Sequence, residues 1–172
     1  SERFRSLRAL IPAALGFIVV TGALLVGINV VGLERLRELI AEAGPLAPLN
    51  ALDLAGAVLE ALAFVHERGI IHRDIKTGNI MLDTAGRPRL MDFGLTTFSD
   101  ETSLSRSGIV FGSPHYMSPE QGLGETLDVR SDLFSFCISL FELLTGRLPF
   151  RGGTPLAVIY AILNEEPQPL RR

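Results

Sequence analysis

The sequence predicts a mainly α fold built around a small β-hairpin centre. Three observations carry that expectation. Apolar residues recur every three or four positions through Leu52, Ala55, Leu59, Leu62 and His66, which marks the buried face of a long helix. Two short extended pieces, Ile80-Met81-Leu82 and Arg89-Leu90-Met91, flank Asp83-Thr84-Ala85-Gly86, whose residue types suit a tight turn. Leu133 to Leu144 is apolar on nearly every side and reads as a helix buried all round. With 172 residues, 47% apolar and 20% charged, the chain can bury one real core and lacks the composition of a disordered protein.

Taken in order, the first segment, residues 1–31, is the most apolar. No charged residue occurs from Leu10 to Leu33; Arg3, Arg5 and Arg8 precede the run and Glu34-Arg35 follow it. Its 24 residues are enough to span a bilayer core, and a basic flank resembles a membrane anchor. The run is too long for the apolar core of a secretory signal. Pro12, four glycines and Asn29 weaken the span, and basic residues held in the cytoplasm would send the rest of the chain outward. The other reading is a buried strand and hinge, with Phe17-Ile18-Val19-Val20 as the strand. Both stay open, and with them membrane contact through 10–33.

From Gly32 to Gly44, Leu33, Leu36, Leu39 and Ile40 have helical spacing, and Gly44-Pro45 ends the helix. Pro48 reads as a break, after which Asn50 and Asp53 suit the cap of the long helix that runs to about Arg68 and stops at Gly69. Ile70-Ile71 is a further extended piece. Thr96 to Gly112 is rich in Ser, Thr and Gly and reads as a loop. Gly146 closes the Leu133–Leu144 helix. Thr154-Pro155, a hydroxyl cap before proline, opens a last helix to about Asn164.

Charge and cysteine usage exclude several functions. A net charge of −3 without any dense Lys/Arg stripe leaves no basis for nucleic-acid binding. Cys137 is the only cysteine, so neither an internal disulfide nor a cysteine zinc cluster is available. It falls in the apolar helix and reads as a small buried hydrophobe. The three histidines, His66, His72 and His115, are scattered and read as packed core residues rather than a metal site.

Chemistry concentrates in His72-Arg73-Asp74-Ile75-Lys76-Thr77-Gly78-Asn79, followed thirteen residues later by Asp92-Phe93-Gly94. Phosphoryl transfer needs metal ions on the phosphates, a carboxylate near the attacking hydroxyl and positive charge near the transferred group. Asp74, Lys76, Asn79 and Asp92 supply that set in one compact region. These blocks resemble the C-terminal lobe of the protein kinase family. The resemblance continues through Gly112-Ser113-Pro114-His115-Tyr116-Met117-Ser118-Pro119-Glu120, Ser131-Asp132-Leu133-Phe134-Ser135 and Leu144-Thr145-Gly146-Arg147-Leu148-Pro149-Phe150. The phrasing from His115 to Gln121 is most similar to bacterial eukaryotic-like Ser/Thr kinases. Residues 32–172 are thus expected to form a kinase C-terminal lobe, truncated at its own C-terminal end, with the N-terminal lobe largely missing.

The resemblance implies a role for each matching residue. Asp74 would orient or accept the proton of a substrate hydroxyl, and Lys76 would neutralise the transferring phosphoryl group. Asn79 and Asp92 would hold Mg²⁺ as hard oxygen ligands. Met81 would lie beneath the adenine of ATP, and His72 would pack on Phe93. Arg73 would bind a phosphate on the activation segment, where Thr102, Ser103, Ser105 and Ser107 are the candidate acceptors. Ser113 would contact Asp74 and Lys76, and Asp132 would bind backbone N–H groups of the catalytic loop. Glu120 would pair with an arginine further along, for which Arg171 and Arg172 lie too near the end. The implied activity is transfer of the ATP γ-phosphate to protein Ser/Thr hydroxyls in the cytoplasm, membrane-associated on the cytoplasmic side if 10–33 meets a bilayer.

One departure bears on activity. No glycine-rich loop and no lysine precede His72, so the chain alone is expected to bind ATP weakly and to be nearly inactive. Gly78 and Thr77 stand where the family often has a bulkier residue or proline, and Cys137 where it usually has glycine. A non-catalytic kinase-like binding module and a membrane-tethered remnant are the rival readings.

Overall fold

The computed structural model describes residues 34–93 and 113–170. The apolar run to Leu33 and the hydroxyl-rich segment from Gly94 to Gly112 lie outside them, and so do the readings made there. Glu34–Arg35 forms β1 and Leu36–Ala43 forms α1, followed by α2 over Pro48–His66. A 3₁₀ turn at Thr77–Asn79 leads into β2 (Ile80–Leu82) and β3 (Pro88–Leu90). A second 3₁₀ turn, Pro114–Tyr116, precedes α3 (Pro119–Leu123), α4 (Val129–Thr145) and α5 (Pro155–Asn164).

The expected hairpin is present, but the sheet has a third strand. β1 pairs antiparallel with β2, placing Glu34 opposite Leu82 and Arg35 opposite Met81. Two residues read as helix are therefore extended. Their conformation follows from a partner about fifty residues away, which periodicity does not register. β2 pairs with β3 in the register Ile80–Leu90, Met81–Arg89 and Leu82–Pro88. Ile80 and Leu82 point into the core while Met81 faces the other way, half-buried. Asp83 fastens the turn: its carboxylate accepts from the Ala85 and Arg87 N–H groups at 2.9 Å, and from the Arg87 and Arg89 guanidinium groups. Partial burial pushes the Asp83 carboxyl up, but these hydrogen bonds outweigh it and hold the group below its ordinary range. Gly86 supplies the positive φ of 74°. Ile70-Ile71 is not a strand.

Helix ends follow local chemistry closely. Gly44 closes α1 at φ 83° and Gly146 closes α4 at φ 68°. Thr154 caps α5 by accepting from Ala157 N–H, with Pro155 at the first position, as expected. The start of α2 differs: Pro48 is its first residue, Ala47 its cap, and neither Asn50 nor Asp53 caps it. Proline carries no N–H to lose there and its fixed φ suits the first turn, so the expected break is a start.

The buried face of α2 is also rotated from the expected one. Ala51, Leu54, Ala55, Val58, Ala61, Leu62 and Val65 are buried, whereas Leu52 is 60% and Leu59 40% exposed. This helix is apolar nearly all round, so the stripe it buries is set by its neighbours rather than by its own pattern. By length and composition it could cross a membrane, a property that core helices share. Leu62 is 1% exposed, a burial worth about 1.5–3 kcal/mol.

α4 is not buried all round. Its inner stripe is Ser131, Asp132, Ser135, Phe136, Ile138, Ser139 and Leu143, while Leu133 and Cys137 are exposed. Ser135 Oγ donates to Ser131 O and Ser139 Oγ to Ser135 O, so the buried hydroxyls are satisfied within the helix. A second cluster joins Tyr116, Ile138, Phe150, Val158, Ala161 and Ile162, docking α5 beneath the Pro114–Tyr116 turn.

Gly152 meets α5 closely. A Cβ there would lie 2.6 Å from Val158 N and 2.7 Å from Ala157 C, whereas at Gly153 nothing lies within 4 Å. Gly152→Ala is expected to cost about 1–3 kcal/mol by overpacking, and Gly153→Ala no more than about 0.5 kcal/mol. Urea midpoints of the two variants test this; equal midpoints would refute the close fit.

Candidate active site

Three of the sequence-predicted residues, Asp74, Lys76 and Asn79, meet in the loop between α2 and β2. Asp74 Oδ2 accepts from Lys76 Nζ at 2.7 Å and from Asn79 Nδ2 at 2.9 Å. Asn79 Nδ2 also donates to the Asp74 carbonyl at 2.8 Å, so its amide N–H groups are committed to Asp74 and its carbonyl oxygen remains. Lys76 Nζ further donates to Ser113 Oγ at 3.2 Å. Ser113 thus meets Lys76 directly, and its link to Asp74 runs through that lysine. Lys76 is the only lysine in the chain.

The loop is anchored from behind. Asp132, fully buried on α4, accepts the His72 N–H and the Arg73 N–H at 2.8 Å each. His66 Nε2 lies 2.7 Å from the same carboxylate, so His66 has a defined polar partner, while His115 is half-exposed rather than packed. His72 Nε2 donates to Met91 O at 3.0 Å, and the Asp74 N–H approaches Nδ1 at 3.4 Å, a pattern that fits the neutral ring. Burial pushes the His72 pKa down against the pull of Asp132. Its ring packs on Phe93 with centroids 4.3 Å apart. Arg73 and Asp92 both have positive φ, 69° and 59°, the only such non-glycine residues among those described. Held strain of this kind costs about 1–3 kcal/mol and persists where surrounding bonds over-determine it.

Asp92 is exposed and lies beyond β3, and Met81 offers its half-buried face from β2. The candidate phosphate acceptors Thr102, Ser103, Ser105 and Ser107 lie outside the described residues. Glu120 accepts from the Ser131 hydroxyl. Burial opposes its charge, but that hydrogen bond prevails and its pKa is lowered.

Several residues escaped the sequence reading. Glu142 is a lone carboxylate in the apolar stretch of α4. Its Oε2 accepts from Thr77 Oγ1 at 2.7 Å and from the Tyr116 hydroxyl at 2.6 Å. Burial and this hydrogen bond raise the Tyr116 pKa. Thr77, read only as a departure from a bulkier residue or proline, is fully buried and ties the Asp74 loop to α4. The signal was there: a carboxylate within a core helix needs donors. Thr77→Val is expected to lose about 1–2 kcal/mol while Thr77→Ser keeps most of the stability, as read by chemical unfolding. Gln121 is the other residue missed, and it bridges to Arg73 O at 2.8 Å.

Known proteins match this sequence. The family model described as "Protein kinase domain" matches residues 13–169. PknB, a serine/threonine-protein kinase of Mycolicibacterium smegmatis, is 42% identical over 139 residues, covering 80% of this chain and 22% of the relative. The Mycobacterium leprae PknB is 40% identical over 135 residues, 78% of this chain and 22% of that protein. A probable serine/threonine-protein kinase of Streptomyces coelicolor is 43% identical over 137 residues, 78% of this chain and 20% of that protein. The chain therefore spans about a fifth of the length of these relatives. With most of its length matched and the loop, hairpin and central helix assembled as above, the chain belongs to the protein kinase family.

Proposed function

We propose that this chain is the catalytic lobe of a protein Ser/Thr kinase, transferring the γ-phosphate of ATP to protein hydroxyls. The observation that carries the reading is the Asp74 carboxylate, which receives Lys76 and Asn79 on one oxygen while Lys76 also reaches Ser113. A substrate hydroxyl entering beside Ser113 would meet a carboxylate that orients it and takes its proton. Lys76 would sit next to the transferred phosphoryl group and offset its charge.

The residues present fit a magnesium ion. The Asn79 carbonyl oxygen and the exposed Asp92 carboxylate are hard oxygen donors of the type Mg²⁺ takes. When bound, the metal supplies positive charge to the phosphate oxygens. Asn79 and Asp92 would hold it, and the outward side of Met81 would support the adenine. Arg73 would receive a phosphate placed on the activation segment, with Thr102, Ser103, Ser105 and Ser107 as acceptors. The non-catalytic alternative gains nothing from this set, because a scaffold has no use for all four groups.

Residues 13–33 we read as part of the kinase sequence. The family match beginning at residue 13 supports this. Catalysis is assigned to this lobe acting together with a nucleotide clamp that supplies a glycine-rich loop and a phosphate-binding lysine, in the cytoplasm where ATP is available. The test is phosphate transfer from Mg²⁺-ATP to a generic protein substrate, by the chain alone and by the chain joined to such a clamp. Faint transfer alone and robust transfer when joined are expected. A joined protein that stays inert overturns the reading.

A further inference from the structure

We propose that Gln121 is a positioning residue for the reaction, holding the peptide plane immediately before Asp74. The proposal rests on the kinase reading of that site. Gln121 stands at the third position of α3 and forms a capping box with Ser118: Ser118 Oγ accepts the Gln121 N–H, and Gln121 Oε1 accepts the Ser118 N–H at 2.9 Å. Capping uses only the oxygen end of the side chain. The nitrogen end does something else: Nε2 donates to the Arg73 carbonyl at 2.8 Å, across 48 residues of sequence.

That carbonyl belongs to the same peptide unit as the Asp74 N–H. The unit is held at its oxygen by Gln121 and at its hydrogen by His72 Nδ1. The preceding unit is held by Asp132 through the Arg73 N–H. Arg73 at φ 69° sits between these two clamps. Strained backbone relaxes when one of its restraints is released, and rotation of this plane swings the Asp74 side chain out of register with Lys76 and Asn79. Through Ser118, the same amide also grips the end of the segment that begins at Ser113. One side chain therefore couples the hydroxyl-positioning segment to the carboxylate that acts on the hydroxyl.

Gln121→Glu separates the two roles. Glutamate serves equally well in a capping box, because its oxygen still accepts the Ser118 N–H. It has no donor for the Arg73 carbonyl and places negative charge against it. In this chain, the variant is expected to lower the urea midpoint by no more than one lost hydrogen bond, with unchanged amide exchange from Glu120 to Leu123. Exchange at the Asp74 N–H is expected to rise about three- to tenfold, the range of one lost hydrogen bond. In the chain joined to a nucleotide clamp, kcat is expected to fall by a similar factor with KM for ATP unchanged. Unchanged exchange at Asp74 would overturn the proposal and leave Gln121 a helix cap alone. Faster exchange with undiminished kcat would also overturn it. Faster exchange in a joined protein that transfers no phosphate even as wild type would keep the clamp and refute the kinase reading instead.

Discussion

Asp132→Ala is expected to destabilise the fold by about 3–5 kcal/mol. The side chain is fully buried and is the acceptor for the His72 and Arg73 N–H groups and for His66. Alanine removes all three acceptor contacts while leaving the donors in place, and each stranded donor costs about 1–3 kcal/mol. Water has poor access to the site, since His72 is also fully buried. Urea unfolding of the two proteins measures the loss, with an unchanged slope confirming that the folded state is what changed. A shift below about 1 kcal/mol would mean that the Asp74 loop keeps its shape without its anchor, contrary to the geometry.

Asp74→Asn is expected to separate activity from stability in the opposite sense. In the chain joined to a nucleotide clamp, phosphate transfer should fall by about a hundred- to ten-thousand-fold, the usual contribution of a positioned proton acceptor. Stability should change by no more than about 1 kcal/mol. The Lys76 and Asp74 side chains are 24% and 26% exposed, so water screens their attraction, and asparagine keeps one oxygen for a donor. Transfer rates and urea midpoints measured on the same preparation decide the matter. Equal rates for the two proteins would remove Asp74 from the chemistry.

How much of this was legible in the sequence depended on the distance between cause and effect. Gly44, Gly146 and Thr154-Pro155 announced their helix ends because a cap or a positive φ is decided by adjacent residues. The Asp83 turn was legible for the same reason. The inner face of α2 was not, because Leu52 and Leu54 are equally apolar and only the packing of Ala51, Ala55 and Ala61 against neighbours chooses between them. On α4, hydropathy pointed to Leu133 and Cys137, yet the core took Ser131, Ser135 and Ser139, whose hydroxyls satisfy themselves on the helix backbone. At the site, residue types named Asp74, Lys76 and Asn79, since their chemistry sits within six residues. Gln121 and Glu142 act on partners 48 and 65 residues away and carry no local mark of doing so.

Those separations shape how the protein comes into being. His72 is made 60 residues before its anchor Asp132, and Thr77 65 residues before its partner Glu142. At about 5–20 residues per second, a ribosome extends the chain for roughly 3–13 s between the two events. Through that interval the His72 N–H and the Thr77 hydroxyl, both fully buried in the finished protein, are without Asp132 and Glu142. A pause in translation after the hairpin would lengthen that exposure, whereas one after α4 would not. The loop that carries Asp74 is made early and set in place late.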